Sequence, residues 1–301
     1  MRFSVWPQGT LAPADILAEA RWADRNGWRG IWLADHYMPN TGGADVASGP
    51  VQEVWAMLPA VAALTETLRV GTMVSPTSIH HPAILANRVS TIDNLSGGRI
   101  TLGLGAGWQV NEHAAFGIPL EAPRERVDRF EDAIRIIRSM LAEDRTTYHG
   151  RVYDIRDAPC EPKPVQSPLP ILVGSTSPRM LRITARYADQ WNTWGDATEA
   201  RRNRQALLDT ADRVGRDPEE IWTTANVLLD LGDTGYDAGV GNQGPRPVVR
   251  GDAAEVVDAL GAYVEAGFDE LILPSWWFGD TTDQRLAVLD RIHADVVPAL
   301  A

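Results

Sequence analysis

Residues 91–108 read TIDNLSGGRITLGLGAGW and contain, in order, a helix end, a turn, a strand and a glycine-rich loop. Gly97 and Gly98 end the helical pattern, because glycine adopts the backbone conformations that a tight turn requires. The apolar run at 99–105 then predicts a buried strand. This order of elements is that of one repeating unit of a parallel α/β fold.

The same unit recurs along the whole chain, where short apolar runs alternate with longer amphipathic stretches. The predicted strands are residues 2–6, 30–34, 68–74, 99–105, 170–174, 190–193, 221–229 and 270–274. A doubly wound open sheet has the same alternation, but eight units in 301 residues favour closure into a (β/α)8 TIM barrel. We therefore predict an α/β protein with one barrel domain over residues 1–301. A small hairpin excursion is expected near 146–166 and a loop insertion near 231–250.

Charge and composition exclude several classes of protein. The formal net charge is −12 and the isoelectric point is about 4.9, so neither nucleic acid nor an anionic membrane is an expected partner. Cys160 is the single cysteine, which excludes an internal disulfide and a cysteine-based metal cluster. Lys163 is the single lysine and lies between two prolines, which argues against a Schiff-base or P-loop lysine. No apolar run reaches the roughly 18 residues of a membrane span, and the expected location is the cytoplasm.

Two stretches at predicted strand ends carry candidate chemistry, because barrel enzymes react at the C-terminal ends of their strands. Asp35 and His36 follow the second strand, and an imidazole there suits proton transfer near neutral pH. A hydrogen bond to a neighbouring loop explains an isolated histidine equally well. Residues 174–177 read GSTS and precede a helix, so their N–H and hydroxyl groups predict a phosphate site. Helix capping by Ser177 is compatible with that role.

The remaining candidates are less specific. The glycines at 103, 105 and 107 either permit a sharp turn or leave room for a flat ring, and the full dinucleotide pattern is absent. The aromatic side chains expected to line an apolar pocket or pack its rim are Trp108, Trp194 and Trp276. Asn111 and Glu112 follow the glycine segment, where the Asn111 amide is placed to contact a polar ring edge, and Glu112 is equally consistent with a solvated loop residue. His80 and His81 are adjacent, a spacing that does not suit one metal ion, so no metal is predicted.

Several motifs resemble the bacterial luciferase-like monooxygenase superfamily. They are HP at 81–82, TIDNLSGGR at 91–99, LGLGAGW at 102–108, RER at 124–126, GST at 174–176 and ARYADQWN at 185–192. The pair at 35–36 is most similar to the branch that uses the deazaflavin coenzyme F420. The resemblance covers residues 1 to about 192 with specific motifs, and the order of elements supports it beyond that point.

The resemblance implies roles for individual residues. His36 would be the catalytic acid or base beside the reactive ring. A non-proline cis peptide is implied at Thr72–Met73, beneath that ring. The implied cofactor-binding residues are Asp35, Thr72, Met73, Ala106, Gly107, Asn111, Gly174, Ser175, Thr176 and Ser177.

The implied function is hydride transfer between F420 and an organic substrate. An FMN-dependent monooxygenase supplied by a separate reductase is the alternative, since both cofactors share a tricyclic ring and a ribityl phosphate. A metal-dependent hydrolase and a non-catalytic cofactor carrier are weaker alternatives. Sugar-phosphate dehydrogenases of the branch have a glutamate where this chain has Trp108, so a bulky apolar substrate is expected instead. The resemblance also implies a homodimer.

Overall fold

A computed structural model describes residues 1–232 and 246–300 of the chain. The strands are β1 (Arg2–Trp6), β2 (Gly30–Leu33), β3 (Arg69–Thr72), β4 (Ser75–Pro76), β5 (Ile100–Gly105), β6 (Thr146–His149), β7 (Asp154–Ala158), β8 (Ile171–Gly174), β9 (Gln190–Thr193), β10 (Trp222–Asn226), β11 (Leu228–Asp230), β12 (Val248–Arg250) and β13 (Glu270–Pro274). The helices are α1 (Pro13–Arg25), α2 (Val54–Leu64), α3 (Pro82–Ser96), α4 (Val110–Ala115), α5 (Pro123–Ala142), α6 (Pro178–Tyr187), α7 (Ala197–Val214), α8 (Ala253–Glu265), α9 (Thr282–Asp295) and α10 (Val297–Leu300).

Eight parallel strands close into the predicted barrel. Around its circumference they run β3, β2, β1, β13, β10, β9, β8 and β5. The pairing of β3 with β5, through Val70 with Ile100 and Gly71 with Thr101, closes the ring. Every residue of β2, β5, β9 and β13 is buried, as expected for parallel strands that are covered on both faces. The closed barrel confirms the predicted fold class.

A buried carboxylate ties together the N-terminal end of the barrel. Glu270 on β13 is 1% exposed and accepts hydrogen bonds from Ser4 on β1, Trp32 on β2 and Trp222 on β10. Arg29 forms an ion pair with the same carboxylate at 3.1 Å. A buried anion requires several donors, and here they come from three other strands. This network lies at the end of the barrel opposite the loops that follow the strands.

The third predicted strand is interrupted, and the cis bond lies one residue later than predicted. Met73, the first residue after β3, still donates its N–H to the Leu33 carbonyl at 2.8 Å. The cis bond is Met73–Val74, which makes the predicted Thr72–Met73 position wrong. The chain resumes as β4 and pairs with the end of β5. Gly103 is required beside this break, because a Cβ at that position would lie 1.8 Å from the Thr72 carbonyl oxygen.

Other segments refine the prediction. The hairpin is present as antiparallel β6 and β7. A short helix that was not predicted, α4, follows the glycine segment. The predicted seventh strand divides into β10 and β11, and β11 pairs in parallel with β12. Most of the predicted loop insertion, residues 233–245, lies outside the described residues. No helix in the described ranges is long and apolar enough to cross a membrane.

Candidate functional site

A cavity of about 850 Å³ opens at the C-terminal end of the barrel. This is the end where (β/α)8 enzymes place their active sites, and the volume lies within the range of small-molecule pockets. Of the predicted site residues, those that line it are His36, Met73, Ala106, Gly107, Trp108, Gly174, Ser175, Thr176, Trp194 and Trp276. Asp35, Thr72, Asn111 and Ser177 are not among the lining residues.

A histidine and a buried carboxylate form a pair in the cavity wall. His36 Nδ1 lies 3.0 Å from Glu112 Oε1, and the second carboxylate oxygen accepts the Tyr37 N–H at 2.9 Å. Glu112 is 1% exposed, whereas the His36 side chain is 23% exposed. A carboxylate only accepts hydrogen bonds, so Nδ1 carries a proton and Nε2 is left for other partners. The sequence does not identify Glu112 for this role, because its position on α4, three residues after Gln109, does not reveal that it is buried.

The glycine segment serves both the turn and the cavity. Gly107 has φ +89°, and a Cβ there would lie 2.0 Å from Ser78 Oγ, so the turn itself requires glycine. Ala106 and Gly107 nevertheless also line the cavity. The following residue, Trp108, contacts His36 edge to face, with 5.4 Å between ring centroids.

The turn between β8 and α6 has the features of an anion site. Ser177 caps α6 without a side-chain hydrogen bond to the helix, so its hydroxyl does not occupy the first N–H groups. Gly174 leaves open space, because a Cβ there would have no neighbouring atom nearer than 4.0 Å. The Ser175 carbonyl accepts the Trp191 indole N–H at 2.8 Å, which holds the turn in place.

Three tryptophans form a second wall of the cavity. Trp6 contacts Trp276 edge to face at 5.0 Å and Trp194 at 5.8 Å between ring centroids. The guanidinium of Arg246 lies 3.6 Å from the centroid of the Trp194 ring. Burial lowers the pKa of Arg246. Neither Trp6 nor Arg246 was identified from sequence, because Trp6 resembles an ordinary strand residue and Arg246 belongs to no motif.

Asp35 is buried and connects the end of β2 to neighbouring elements through hydrogen bonds. Its Oδ2 accepts hydrogen bonds from Trp55 Nε1 at 2.9 Å, Ser75 Oγ at 2.5 Å and His80 Nε2 at 2.8 Å. Burial alone would raise the pKa of Asp35, but the hydrogen bonds and charge of His80, with Ser75 and Trp55, hold it below its usual value. Asp35 therefore fixes the end of β2, next to His36, against α2 and β4.

The other three predicted residues are also engaged within the protein. The Thr72 hydroxyl bonds to both the carbonyl and the N–H of Gly103, and the Asn111 amide donates to the Pro39 carbonyl at 2.9 Å. Ser177 begins α6. Within residues 1–232 and 246–300, no group of three or more His, Cys, Asp and Glu side chains is arranged to hold a metal ion.

The features of the cavity are divided between two arcs of the barrel. One arc, β8, β5, β3 and β2, carries the anion turn, the glycine segment, the cis bond and His36. The opposite arc, β9, β10, β13 and β1, carries Trp194, Trp276 and Trp6, with Arg246 against Trp194. We call these the glycine arc and the tryptophan arc.

Comparison with known proteins identifies relatives over nearly the whole length of the chain. A family model described as luciferase-like monooxygenase matches residues 1–239. The F420-dependent glucose-6-phosphate dehydrogenase of Beutenbergia cavernae is 30% identical over 339 aligned positions, which cover 96% of this chain and 94% of that protein. A protein of the same name from Amycolatopsis mediterranei is 32% identical, with 96% and 95% covered.

Solved structures share the fold at lower identity. An F420-dependent secondary alcohol dehydrogenase, solved with an F420–acetone adduct, has a TM-score of 0.84 at 18% identity and covers 100% of this chain and 99% of its own. A monooxygenase from Streptomyces bottropensis has a TM-score of 0.81 at 21% identity, with full coverage of both chains. At these identities the likeness concerns the fold alone.

Proposed function

Since the chain belongs to the luciferase-like monooxygenase family, we propose that it is an oxidoreductase that transfers a hydride between coenzyme F420 and an organic substrate. The observation that carries the proposal is the His36–Glu112 pair, which faces the same cavity as the anion turn at residues 174–176. The relatives named above supply the identity of the coenzyme.

The glycine arc fits such a coenzyme. When bound, F420 supplies a ring that gives or takes a hydride. A phosphate suits the start of α6, where the helix N–H groups favour an anion. The open space beside Gly174 leaves room for the chain that joins phosphate and ring. Gly105, Ala106 and Gly107 present no large side chain to a flat ring.

His36 is the group that moves the proton. With Nδ1–H donated to Glu112, Nε2 takes the hydroxyl proton of an alcohol that is being oxidised. In the reverse direction it returns that proton to the carbonyl oxygen. Glu112 keeps the ring in one tautomer and stabilises the positive charge that forms on it, as an aspartate does for a catalytic histidine. The Tyr37 N–H in turn fixes the carboxylate.

Coenzyme binding tests the proposal directly. Purified protein is titrated with F420 and with FMN, and tryptophan quenching reports each dissociation constant. We expect tighter binding of F420 and a loss of at least about tenfold for Gly174→Val, whose side chain would enter the cavity. A preference for FMN would overturn the proposal in favour of an oxygen-using monooxygenase, and binding of neither coenzyme would overturn both.

A homodimer is proposed as the working assembly. The outward side of α2 is formed by Ala56, Ala60 and Ala63, and Ile84 on the adjacent α3 is 61% exposed. Small apolar residues on neighbouring helices permit close contact with a second copy. Sedimentation velocity is expected to give a dimer, and Ala60→Arg a monomer. A monomeric wild type would refute this assembly.

A further inference from the structure

We propose that the tryptophan arc recognises a substrate with an aromatic or apolar body and a single carboxylate, which Arg246 binds across the barrel mouth from His36. The inference rests on the proposed function and adds the class of substrate. Three observations carry it: the position of Arg246, the charged side chains that line the cavity and the order of the strands.

Arg246 lies against the tryptophan arc, where its guanidinium can bind an anionic group of a substrate. Among the described residues that line the cavity, it is the single Arg or Lys. Its guanidinium stacks on Trp194 at 3.6 Å, an arrangement that fixes the plane of its hydrogen-bonding fork. Burial also removes water from this cation and thereby lowers its pKa. A partly desolvated guanidinium of fixed plane matches the geometry of a carboxylate, which it binds through two parallel hydrogen bonds.

The charged side chains that line the cavity favour a monoanion over a phosphate ester. Glu199 lines the same cavity and adds a negative charge to this wall, with Arg202 3.7 Å away. The whole chain carries a net charge of −12. Because Arg202 offsets the Glu199 carboxylate, the positive charge of Arg246 balances one substrate carboxylate, whereas a phosphate ester would bring close to two negative charges at neutral pH.

The strand order places the two ends of such a substrate. His36 follows β2, and Trp194, on which Arg246 stacks, follows β9. These strands are four positions apart in either direction around the eight-stranded ring, so they lie opposite each other. An interstrand spacing of about 4.8 Å and a tilt of about 36° give a ring roughly 15 Å across between backbones. Both side chains line the cavity, so a molecule of moderate size contacts both while its apolar body lies against Trp6 and Trp276.

Matched probes test the inference. Isothermal titration calorimetry at low salt compares para-hydroxymethylbenzoate, its amide and para-hydroxymethylphenyl phosphate, with and without F420. Wild type is expected to bind the acid about tenfold more tightly than the amide, as for a hydrogen-bonded charge pair. Arg246→Gln should abolish this preference, and Arg246→Lys should retain part of it. Arg201→Gln, which changes an exposed arginine on α7 that does not line the cavity, should leave it intact.

Each other outcome overturns the inference. The inference fails if wild type binds the acid and the amide equally, or if it does not bind the acid detectably. It also fails if Arg246→Gln still prefers the acid to the amide. If wild type bound the phosphate ester more tightly than the acid, the tryptophan arc would be assigned to a phosphate group instead of a carboxylate. A loss of F420 affinity in Arg246→Gln would assign Arg246 to the coenzyme. Because the probes are also titrated without F420, failure of wild type to bind the coenzyme would overturn the proposed function separately.

Discussion

Replacement of Glu112 by glutamine tests whether this carboxylate acts through His36. The substitution keeps the shape of the side chain but removes the charge that faces Nδ1 at 3.0 Å. A hydrogen bond to a charged group contributes about 1.5–3 kcal/mol, against about 1 kcal/mol for a neutral one. We therefore expect kcat/KM to fall by roughly tenfold, since about 1.4 kcal/mol corresponds to a factor of ten.

The assay combines kinetics with a reading of the tautomer. Hydride transfer is followed by the absorbance of F420 in wild type, Glu112→Gln, His36→Asn and the double variant, with a substrate obtained from a screen of alcohols. In the double variant the second change should add less than a factor of about three, because residues that act as a unit are not additive. Two-bond ¹H–¹⁵N spectra should show His36 protonated at Nδ1 in wild type, and Glu112→Gln should weaken that preference.

Glu53→Gln is the matched control. Glu53 also accepts a backbone N–H, that of Ala56 at 2.6 Å, but it is exposed and does not contact His36. The Glu53→Gln variant should retain kcat/KM within about twofold, because substitutions at exposed sites of this kind change stability little. Additive losses in the double variant, or an unchanged His36 tautomer in Glu112→Gln, would refute a role of Glu112 through His36.

Three further predictions concern the support of the site. Asp35→Asn should reduce the free energy of unfolding by about 3 kcal/mol in denaturant titrations at pH 7, since three hydrogen bonds lose a charged acceptor. Because the pKa of Asp35 is lowered, its contribution is complete above its ordinary pKa of 3.8 and is lost as the pH falls through the lower folded value. The variant should therefore lose less stability than wild type in that acidic range. Gly103→Ala should cost about 3 kcal/mol by overpacking against a backbone carbonyl, whereas Gly174→Ala should leave the thermal unfolding midpoint unchanged. Glu19→Gln should cost about 3–5 kcal/mol in the same titrations, because it leaves Arg285 buried without its ion-pair partner.

The fold could be predicted because its signals are local and repeated. The helix α5 buries Phe130, Ile134, Ile137 and Leu141 at spacings of three and four, as its periodicity indicates. Eight alternating units then limit the arrangement, since parallel strands and short connections leave few topologies. The same local reasoning did not find α4, which has six residues and lacks a side-chain cap.

The site was less predictable because partners distant in sequence decide each role. Asp35 and His36 are adjacent, yet one points into a buried network and the other lines the cavity. Only the contact between α4 and the end of β2 shows that Glu112 is buried against His36, across 76 positions of sequence. The cis bond was misplaced by one residue because the motif does not show that the backbone N–H of Met73 still bonds to the Leu33 carbonyl.

Under the proposed function, the two arcs of the barrel mouth would separate coenzyme binding from substrate choice. The proposed coenzyme features follow four consecutive strands, and Trp6, Trp194 and Trp276 lie on or follow three of the other four. The arcs meet between β2 and β1, so His36 stands where the glycine arc adjoins Trp6. A proton-transfer group must contact the reacting atoms of the substrate while it lies beside the coenzyme, and this junction satisfies both requirements. Substitutions in the tryptophan arc should therefore change the preferred substrate while F420 affinity is retained.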